Sequence, residues 1–193
     1  MEENYTNYNL SLELANTIVI SNGEEKDKLQ TLNDYRFWLS SLEFIDFFEE
    51  YKEKEIDELF TKILEVRKIV RSTFIDLNNT GTLSMRSLKD INHLLGSIQV
   101  SMQIKLKDDK FEKYLETNSS TSEKLLLELL NSFAETISNN HLYPVKQCAC
   151  EDCVLFFIDT SKNKKRKWCS MQTCGNRVKA SKHFNKKKNL KNI

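Results

Sequence analysis

Four of the five cysteines in this 193-residue chain form two pairs with the same internal spacing. Four residues separate Cys148 from Cys153, and four separate Cys169 from Cys174. Thiolates are preferred ligands of structural Zn²⁺, and four of them complete a tetrahedral shell that leaves no position for a substrate water. The spacing therefore predicts one structural zinc ion that performs no chemistry.

Spacing alone does not decide which cysteine is the first ligand of this site. Cys150 lies inside the first pair, and Cys150 with Cys153 has the two-residue spacing that is more usual in zinc knuckles. In either arrangement one cysteine is left as a spare thiol. We expect metal binding rather than disulfides, because clustered cysteines in a cytoplasmic protein more often hold a metal.

The residues around the cysteine pairs predict a small finger. Residues 154–158 are β-branched and aromatic, residues 159–163 favour a turn, and residues 165–168 can return as a second strand of a hairpin. A helix is expected to begin at the second cysteine pair. A knuckle, a hairpin and a helix in this order predict a treble-clef-like Cys₄ finger over residues 144–193. So short a segment cannot bury a large core, and the metal is expected to supply its stability.

This C-terminal segment is also strongly basic. Residues 144–193 contain thirteen Lys or Arg residues and three acidic ones, a net charge of +10, so the whole-chain charge of +1 leaves −9 for residues 1–143. Such a block indicates a polyanionic partner, most simply nucleic acid, with DNA favoured over RNA. The residues expected to contact it are Lys164, Lys165, Arg166, Lys167, Asn176, Arg177, Lys179, Lys182 and Lys186.

For two of these residues, a structural role within the finger is as well supported by the sequence as a role in reading bases. Arg177 is able to pair bidentately with guanine and Asn176 with adenine, so both are candidates for reading bases. Both are also candidates for holding the finger together through hydrogen bonds to its backbone. Trp168 is expected to pack over the metal site rather than to stack on a base.

The run WCSMQTCGNR, residues 168–177, with residues 159–161 and the upstream cysteines, resembles the CGNR zinc-finger family, which is named for residues 174–177. The resemblance implies Cys148 rather than Cys150 as the first ligand. Looser similarity in residues 10–17 and 38–39 implies the α-rich N-terminal domain called ABATE, which senses a small molecule or a partner. The family resemblance also implies that the protein is a stress-induced transcription regulator.

Residues 1–143 are predicted to form this α-rich domain, with the only proline, Pro144, at its boundary. Apolar residues at helical spacing predict a first helix through Val19, which Asn22 and Gly23 end. Thr31 is a predicted N-cap. Further helices are expected from Lys54 to residues 78–81, through Leu88 to Gly96 and from Ser122, and a small hairpin over residues 100–115 turns at Asp108-Asp109. The fold class is thus mainly α with a small β-hairpin.

The polar residues Asn16 and Thr17 lie beside the first apolar stripe. They are candidates for a ligand pocket of the N-terminal domain, although buried polar groups more often satisfy neighbouring backbone.

Several other functions are disfavoured by motifs that the chain lacks. It has no H-x-E or HExxH element and no glycine-rich phosphate loop, with only four glycines in all, so we predict that it is not an enzyme. No signal peptide and no membrane span are apparent, which predicts a cytoplasmic protein. The remaining alternatives to DNA binding are RNA binding and a protein-interaction zinc module.

Overall fold

The computed structural model describes residues 9–42, 53–117 and 121–191. Within them the helices are α1 (Leu10–Ala15), α2 (Leu32–Ser41), α3 (Glu53–Thr80), α4 (Met85–Leu95), α5 (Thr121–Ser138) and α6 (Asn176–Lys191), with a π-helical turn over Met171–Gly175. The strands are β1 (Ile18–Ser21), β2 (Glu24–Asp27), β3 (Ser101–Lys107), β4 (Lys110–Glu116), β5 (Val145–Gln147) and β6 (Phe156–Ile158), which pair as three antiparallel hairpins. The predicted fold class is confirmed: a mostly helical N-terminal region with small hairpins precedes a four-cysteine cluster.

Local sequence accounts for most helix boundaries. Thr31 is the N-cap of α2, as predicted, and it forms a capping box in which its hydroxyl accepts from the Asp34 N–H while Asp34 accepts from the Thr31 N–H. Helix α3 buries one regular apolar stripe and ends before Gly81, whose φ of +72° favours glycine. The predicted cap of α5, Ser122, lies outside the described side chains.

The first helix is shorter than predicted. It ends at Ala15, and the β-branched residues that follow form β1, which pairs with β2 through a turn at Asn22 and Gly23. Both turn residues have positive φ, 55° and 82°, which is the geometry of a tight hairpin turn. The same pair of residues therefore turns a hairpin instead of ending a long helix.

The core of the helical region includes part of the finger. Leu14, Val70, Phe74 and Phe133 are fully buried in one cluster, and Phe156 of β6 belongs to the same cluster. Contacts thus cross the boundary predicted at Pro144, and the division into two domains stays a prediction. None of the described helices has the length and hydropathy needed to cross a membrane.

The hairpin of the finger is not the one predicted from sequence. Strand β6 pairs with β5, so that Val145 faces Ile158 and Gln147 faces Phe156, and residues 165–168 form no strand. The hairpin therefore encloses the first cysteine pair instead of joining the two pairs. Residues 145–147 contribute the missing strand because Val145 is buried in the main core, which short-range sequence patterns do not reveal.

Candidate metal centre and basic surface

Four cysteine sulfurs converge at the end of the β5–β6 hairpin. The Sγ atoms of Cys148, Cys153, Cys169 and Cys174 all lie within 4.8 Å of one another. The Cys153–Cys169 and Cys169–Cys174 pairs are 3.8 and 3.6 Å apart, too far for disulfides. Tetrahedral ligands with Zn–S bonds of about 2.3 Å are about 3.8 Å apart. The cluster is therefore consistent with one structural Zn²⁺, as the sequence predicts.

The geometry decides between the two candidates for the first ligand. Cys148 belongs to the cluster of four sulfurs and Cys150 does not. Cys150 is buried beside the cluster, and its carbonyl oxygen accepts a hydrogen bond of 3.0 Å from the Cys153 N–H. Its backbone thus forms the turn of the first knuckle, and its thiol is the spare one.

Backbone pairing positions the first knuckle. Cys148 directly follows β5, and its N–H donates to the Leu155 carbonyl at 2.8 Å, which extends the β5–β6 ladder to the first ligand. The Cys169 N–H lies 3.4 Å from the Cys148 sulfur, so the second knuckle supplies a hydrogen bond to a ligand of the first.

The second knuckle is built on the π-helical turn. The Ser170 hydroxyl caps its start by accepting from the Thr173 N–H, and the Gly175 N–H donates to the Ser170 carbonyl at 3.0 Å. A Cβ on Gly175 would lie 2.6 Å from the Met171 sulfur and 3.4 Å from the Trp168 ring. Trp168 packs against this turn and also against the cysteine cluster, as predicted for the metal site. A small residue is required at position 175 unless the exposed Met171 moves.

In the absence of a metal ion, the pKa values of three of the clustered thiols are shifted in different directions. Burial raises the pKa of Cys153 to about 11 and, together with the Cys174 hydrogen bond, raises the pKa of Cys169. Burial also opposes ionisation of Cys174, but hydrogen bonds from Cys169, Cys153 and Cys148 outweigh it and lower its pKa. Zinc must displace the protons that these groups retain, so its binding is expected to release protons.

Asp159 organises the loop between the two knuckles, and the sequence reasoning missed this role. Its fully buried carboxylate accepts from Lys146 Nζ at 2.7 Å, from the Ser161 N–H and hydroxyl, and from the Arg166 N–H. Burial opposes ionisation, but these hydrogen bonds, led by that from Lys146, lower the pKa of Asp159 to about 2. The sequence signal was the run Asp159-Thr160-Ser161, which matches an Asx turn.

Arg166 connects this loop to the metal site, because its N–H donates to Asp159 and its guanidinium donates to carbonyls of the second knuckle. Its guanidinium donates to the Trp168 carbonyl at 2.8 Å and to the carbonyl of Cys169, a metal ligand. It also lies 4.7 Å from the centre of the Phe157 ring. Sequence reasoning assigned Arg166 to nucleic acid, and the structure adds intramolecular contacts that hold the second knuckle.

Strand β5 packs along helix α3, and Phe156 and Asn16 add a second connection between the metal site and the helical region. Asn16 accepts from the Phe156 N–H at 2.8 Å and donates to the Phe156 carbonyl at 3.0 Å, as a neighbouring strand would. The Phe156 ring contacts Phe74 and the Arg71 guanidinium. Thr17 is buried and bonds to the Leu14 carbonyl and Arg67. Thr17 thus has the second of the two roles considered from sequence, whereas Asn16 both bonds to the Phe156 backbone and lines a cavity between α1 and the second knuckle.

The predicted nucleic-acid residues fall into two groups. Lys165, Lys167, Lys179 and Lys182 are exposed, and Lys186 lies outside the described side chains. Arg166, Asn176 and Arg177 are exposed as well, and Lys164 is half-buried, but these four also make contacts within the protein. Lys164 Nζ lies 4.6 Å from the Tyr143 ring centre, Asn176 donates to the Gln172 carbonyl at 3.0 Å, and Arg177 donates to the Asp152 carbonyl at 3.4 Å.

A groove separates the first knuckle from helix α6. Its volume is about 520 Å³, and Lys167, Arg177 and Lys182 line it. Trp168 and the buried Cys150 also line it, with Glu151 and Asp152 of the first knuckle. The groove thus combines three cationic side chains with two carboxylates and an aromatic surface, so its lining is basic by one formal charge.

Comparison with known proteins agrees with this geometry. Residues 145–187 match the model of the CGNR zinc finger family, and a zinc finger of this type is therefore present. The match covers the finger and does not extend into the helical region, where the ABATE resemblance stays a prediction. No curated protein matches the chain.

Proposed function

We propose that the finger binds nucleic acid, preferably DNA, and that the protein regulates transcription. The observation that supports this most directly is the groove between the first knuckle and α6, where Lys167, Arg177 and Lys182 lie together. Exposed Lys165 and Lys179 extend the positive charge beyond it. Cations fixed on a rigid, metal-bound frame are suited to contact phosphates at defined positions.

In this proposal the lysines provide affinity and Arg177 provides orientation. Lysine ammonium groups neutralise phosphates and release counterions, so affinity falls steeply with salt. Arg177 lies at the junction of the first knuckle and α6, and its bond to the Asp152 carbonyl is long enough to exchange for a base or phosphate. Arg166, whose guanidinium bonds to two carbonyls, acts mainly by holding Cys169 in place.

Single-stranded nucleic acid, including RNA, is the second candidate. Half-buried Trp168 lines the same groove as the three cations. An indole beside cations is a surface on which an unpaired base can stack while its phosphate is neutralised. A Trp168→Leu variant that retains zinc should lose affinity for single strands and little for duplex DNA, whereas equal losses would count against this candidate.

A salt titration with matched variants tests the main proposal. We expect Lys167→Gln with Lys182→Gln to lower the slope of log affinity against log salt by about 0.9 for each lost phosphate contact. The control is Lys68→Gln with Lys89→Gln, which removes the same charge from exposed positions on helices α3 and α4. Equal effects of the two pairs would show that total charge, not the finger, determines binding.

The helical region is proposed to sense a small ligand beside the finger. A cavity of about 560 Å³ lies between helix α1 and the second knuckle, lined by residues that include Asn9, Glu13, Ser170 and Thr173. A ligand there would contact both regions at once. A thermal-shift screen of small polar compounds should give hits that a Thr160→Trp variant, which fills the cavity, abolishes. Hits that persist in the variant would contradict this location.

A further inference from the structure

We infer that the groove between the first knuckle and α6 binds one unpaired guanine base of a nucleic-acid strand. The inference deepens the proposed function, because it rests on the binding of single-stranded nucleic acid and adds a base preference to it. Five charged side chains line the groove, namely the cations of Lys167, Arg177 and Lys182 and the carboxylates of Glu151 and Asp152. The balance of these charges determines which group can occupy the groove.

The mixed charge of the groove suits a base better than a phosphate. Glu151 and Asp152 are exposed, and in the part of the chain that the structure describes neither carboxylate forms a hydrogen bond or an ion pair. A phosphate inside the groove would be repelled by both carboxylates, whereas a neutral base would not. Lys167 and Lys182 are exposed and carry their charge on long, flexible side chains, so they can neutralise the phosphates on either side of that base.

Guanine is the base whose two edges match the two walls of the groove. Its N1–H and N2–H lie side by side, and the two oxygens of one carboxylate can accept both, while its O6 and N7 can accept bidentately from arginine. Glu151 and Asp152 belong to the first knuckle and Arg177 belongs to α6, so a base between them meets a carboxylate on one edge and a guanidinium on the other. Adenine, cytosine and thymine offer no two adjacent N–H groups of this kind.

Trp168 provides a surface on which the base ring can stack. Its half-buried indole lines the groove together with Val178, which is partly buried, and Cys150, which is buried. Stacking on an aromatic side chain tolerates every base, so Trp168 supplies affinity and the polar side chains supply the preference. The groove volume of about 520 Å³ lies within the range of pockets that hold small ligands.

Fluorescence anisotropy with the full-length, zinc-loaded protein tests the inference. The probes are labelled oligothymidylate strands of about 12 nucleotides, within the site sizes of single-strand-binding modules, that carry guanine, adenine, cytosine or thymine at one central position. We expect the guanine strand to bind about tenfold more tightly than the others, the discrimination that one good bidentate contact provides. Inosine in place of guanine lacks the 2-amino group and should lose most of this preference.

A double variant, Glu151→Gln with Asp152→Asn, separates base reading from charge repulsion. The readout is the ratio of the affinities for the guanine and thymine strands. We expect this ratio to fall to about one, whereas carboxylates that only repel phosphates would leave it unchanged and weaken binding of every strand by the same factor. The control, Asp90→Asn with Glu112→Gln, removes two negative charges from exposed positions outside the finger and should keep the preference. Zinc content should be the same in all proteins.

The outcomes separate this inference from the proposed function. Equal binding of all four strands by the wild-type protein would overturn the guanine preference and leave nucleic-acid binding intact. A preference that persists in the double carboxylate variant would overturn the inference as well. Failure to bind any strand would overturn both the inference and single-strand binding, and the duplex titration would then decide the main proposal by itself.

Discussion

The helical region and the finger are stabilised in different ways. In the helical region, large apolar side chains such as Leu14, Val70 and Phe133 are fully buried in a continuous core. In the finger, the buried cluster among the described residues consists of Cys148, Cys150 and Cys174, with Trp168 and Val178 partly buried around it. The first region can fold by excluding water, whereas the second needs a metal ion to hold its segments together.

The two regions meet at the β5–β6 hairpin, which belongs to both. Its ladder ends at a zinc ligand, Cys148, while Val145 and Phe156 are buried in the helical core. We therefore expect loss of metal to unfold the finger only as far as this hairpin. Four variants test this difference between metal-dependent and core-dependent stability. They are given from the largest expected loss of stability to the smallest.

Cys169→Ser should have the largest effect, because it removes one of four zinc ligands. Structural zinc contributes about 10–16 kcal/mol in finger peptides, much of which depends on a complete shell. Hydrogen exchange should show loss of protection from residue 169 into α6, with protection retained in α2, α3 and the β5–β6 hairpin. Cys150→Ser is the control and should retain one zinc per chain. Loss of zinc in the control with retention in Cys169→Ser would contradict the ligand set.

Phe156→Ala should destabilise both regions at once. The Phe156 ring is buried and lies 5.6 Å from the Phe74 ring centre, so its removal leaves a cavity costing about 3–5 kcal/mol. Urea unfolding should shift accordingly, and the zinc affinity should fall with it. Phe184→Ala, at an exposed position of α6, should change stability by less than about 0.5 kcal/mol. If Phe156→Ala left zinc affinity unchanged, the finger would not depend on the helical core.

Asp159→Asn should destabilise the finger by about 2 kcal/mol at neutral pH, the value that a pKa lowered from 3.8 to about 2 implies. Because the folded-state pKa is lowered, the carboxylate contributes stability above about pH 4 and loses it as the pH falls through about 2. Asparagine cannot ionise, so the stability difference between wild type and variant should shrink over this window. Urea unfolding of the zinc-loaded proteins at pH 7, where the cysteine ligands still hold the metal, checks the loss, and a variant as stable as wild type there would contradict this role of Asp159.

Asn16→Ala should have the smallest effect, about 1–2 kcal/mol, because it leaves the Phe156 N–H and carbonyl without their side-chain partner. The finger hairpin should then exchange its amides faster, with the zinc site intact. Asn92→Ala removes an exposed amide from α4 and serves as the control. Identical exchange in the two variants would exclude Asn16 as a link between the regions.

Sequence reasoning succeeded where local pattern sufficed and failed where distant segments decide. The apolar stripe of α3, the Thr31 cap and the Asp108-Asp109 turn are short-range features, and all are present. The pairing of β5 with β6 was missed because three-residue strands carry little signal, and burial of Val145 in a distant core selects them. The end of α1 at Ala15 was missed because the residues after it fit a helical stripe as well as a strand.

The sequence by itself determined that four cysteines at matched spacing would hold a metal, because the number and kind of ligands depend on residue type and short loops. Cysteine spacing left Cys148 and Cys150 open, the family resemblance implied Cys148, and the tertiary structure confirms it because only the Cys148 sulfur joins the cluster. Only the tertiary structure decided that Asp159 and Arg166 support the second knuckle and that Asn16 attaches the finger to the core. Those contacts join residues that no local pattern relates, and packing of the whole chain brings them together.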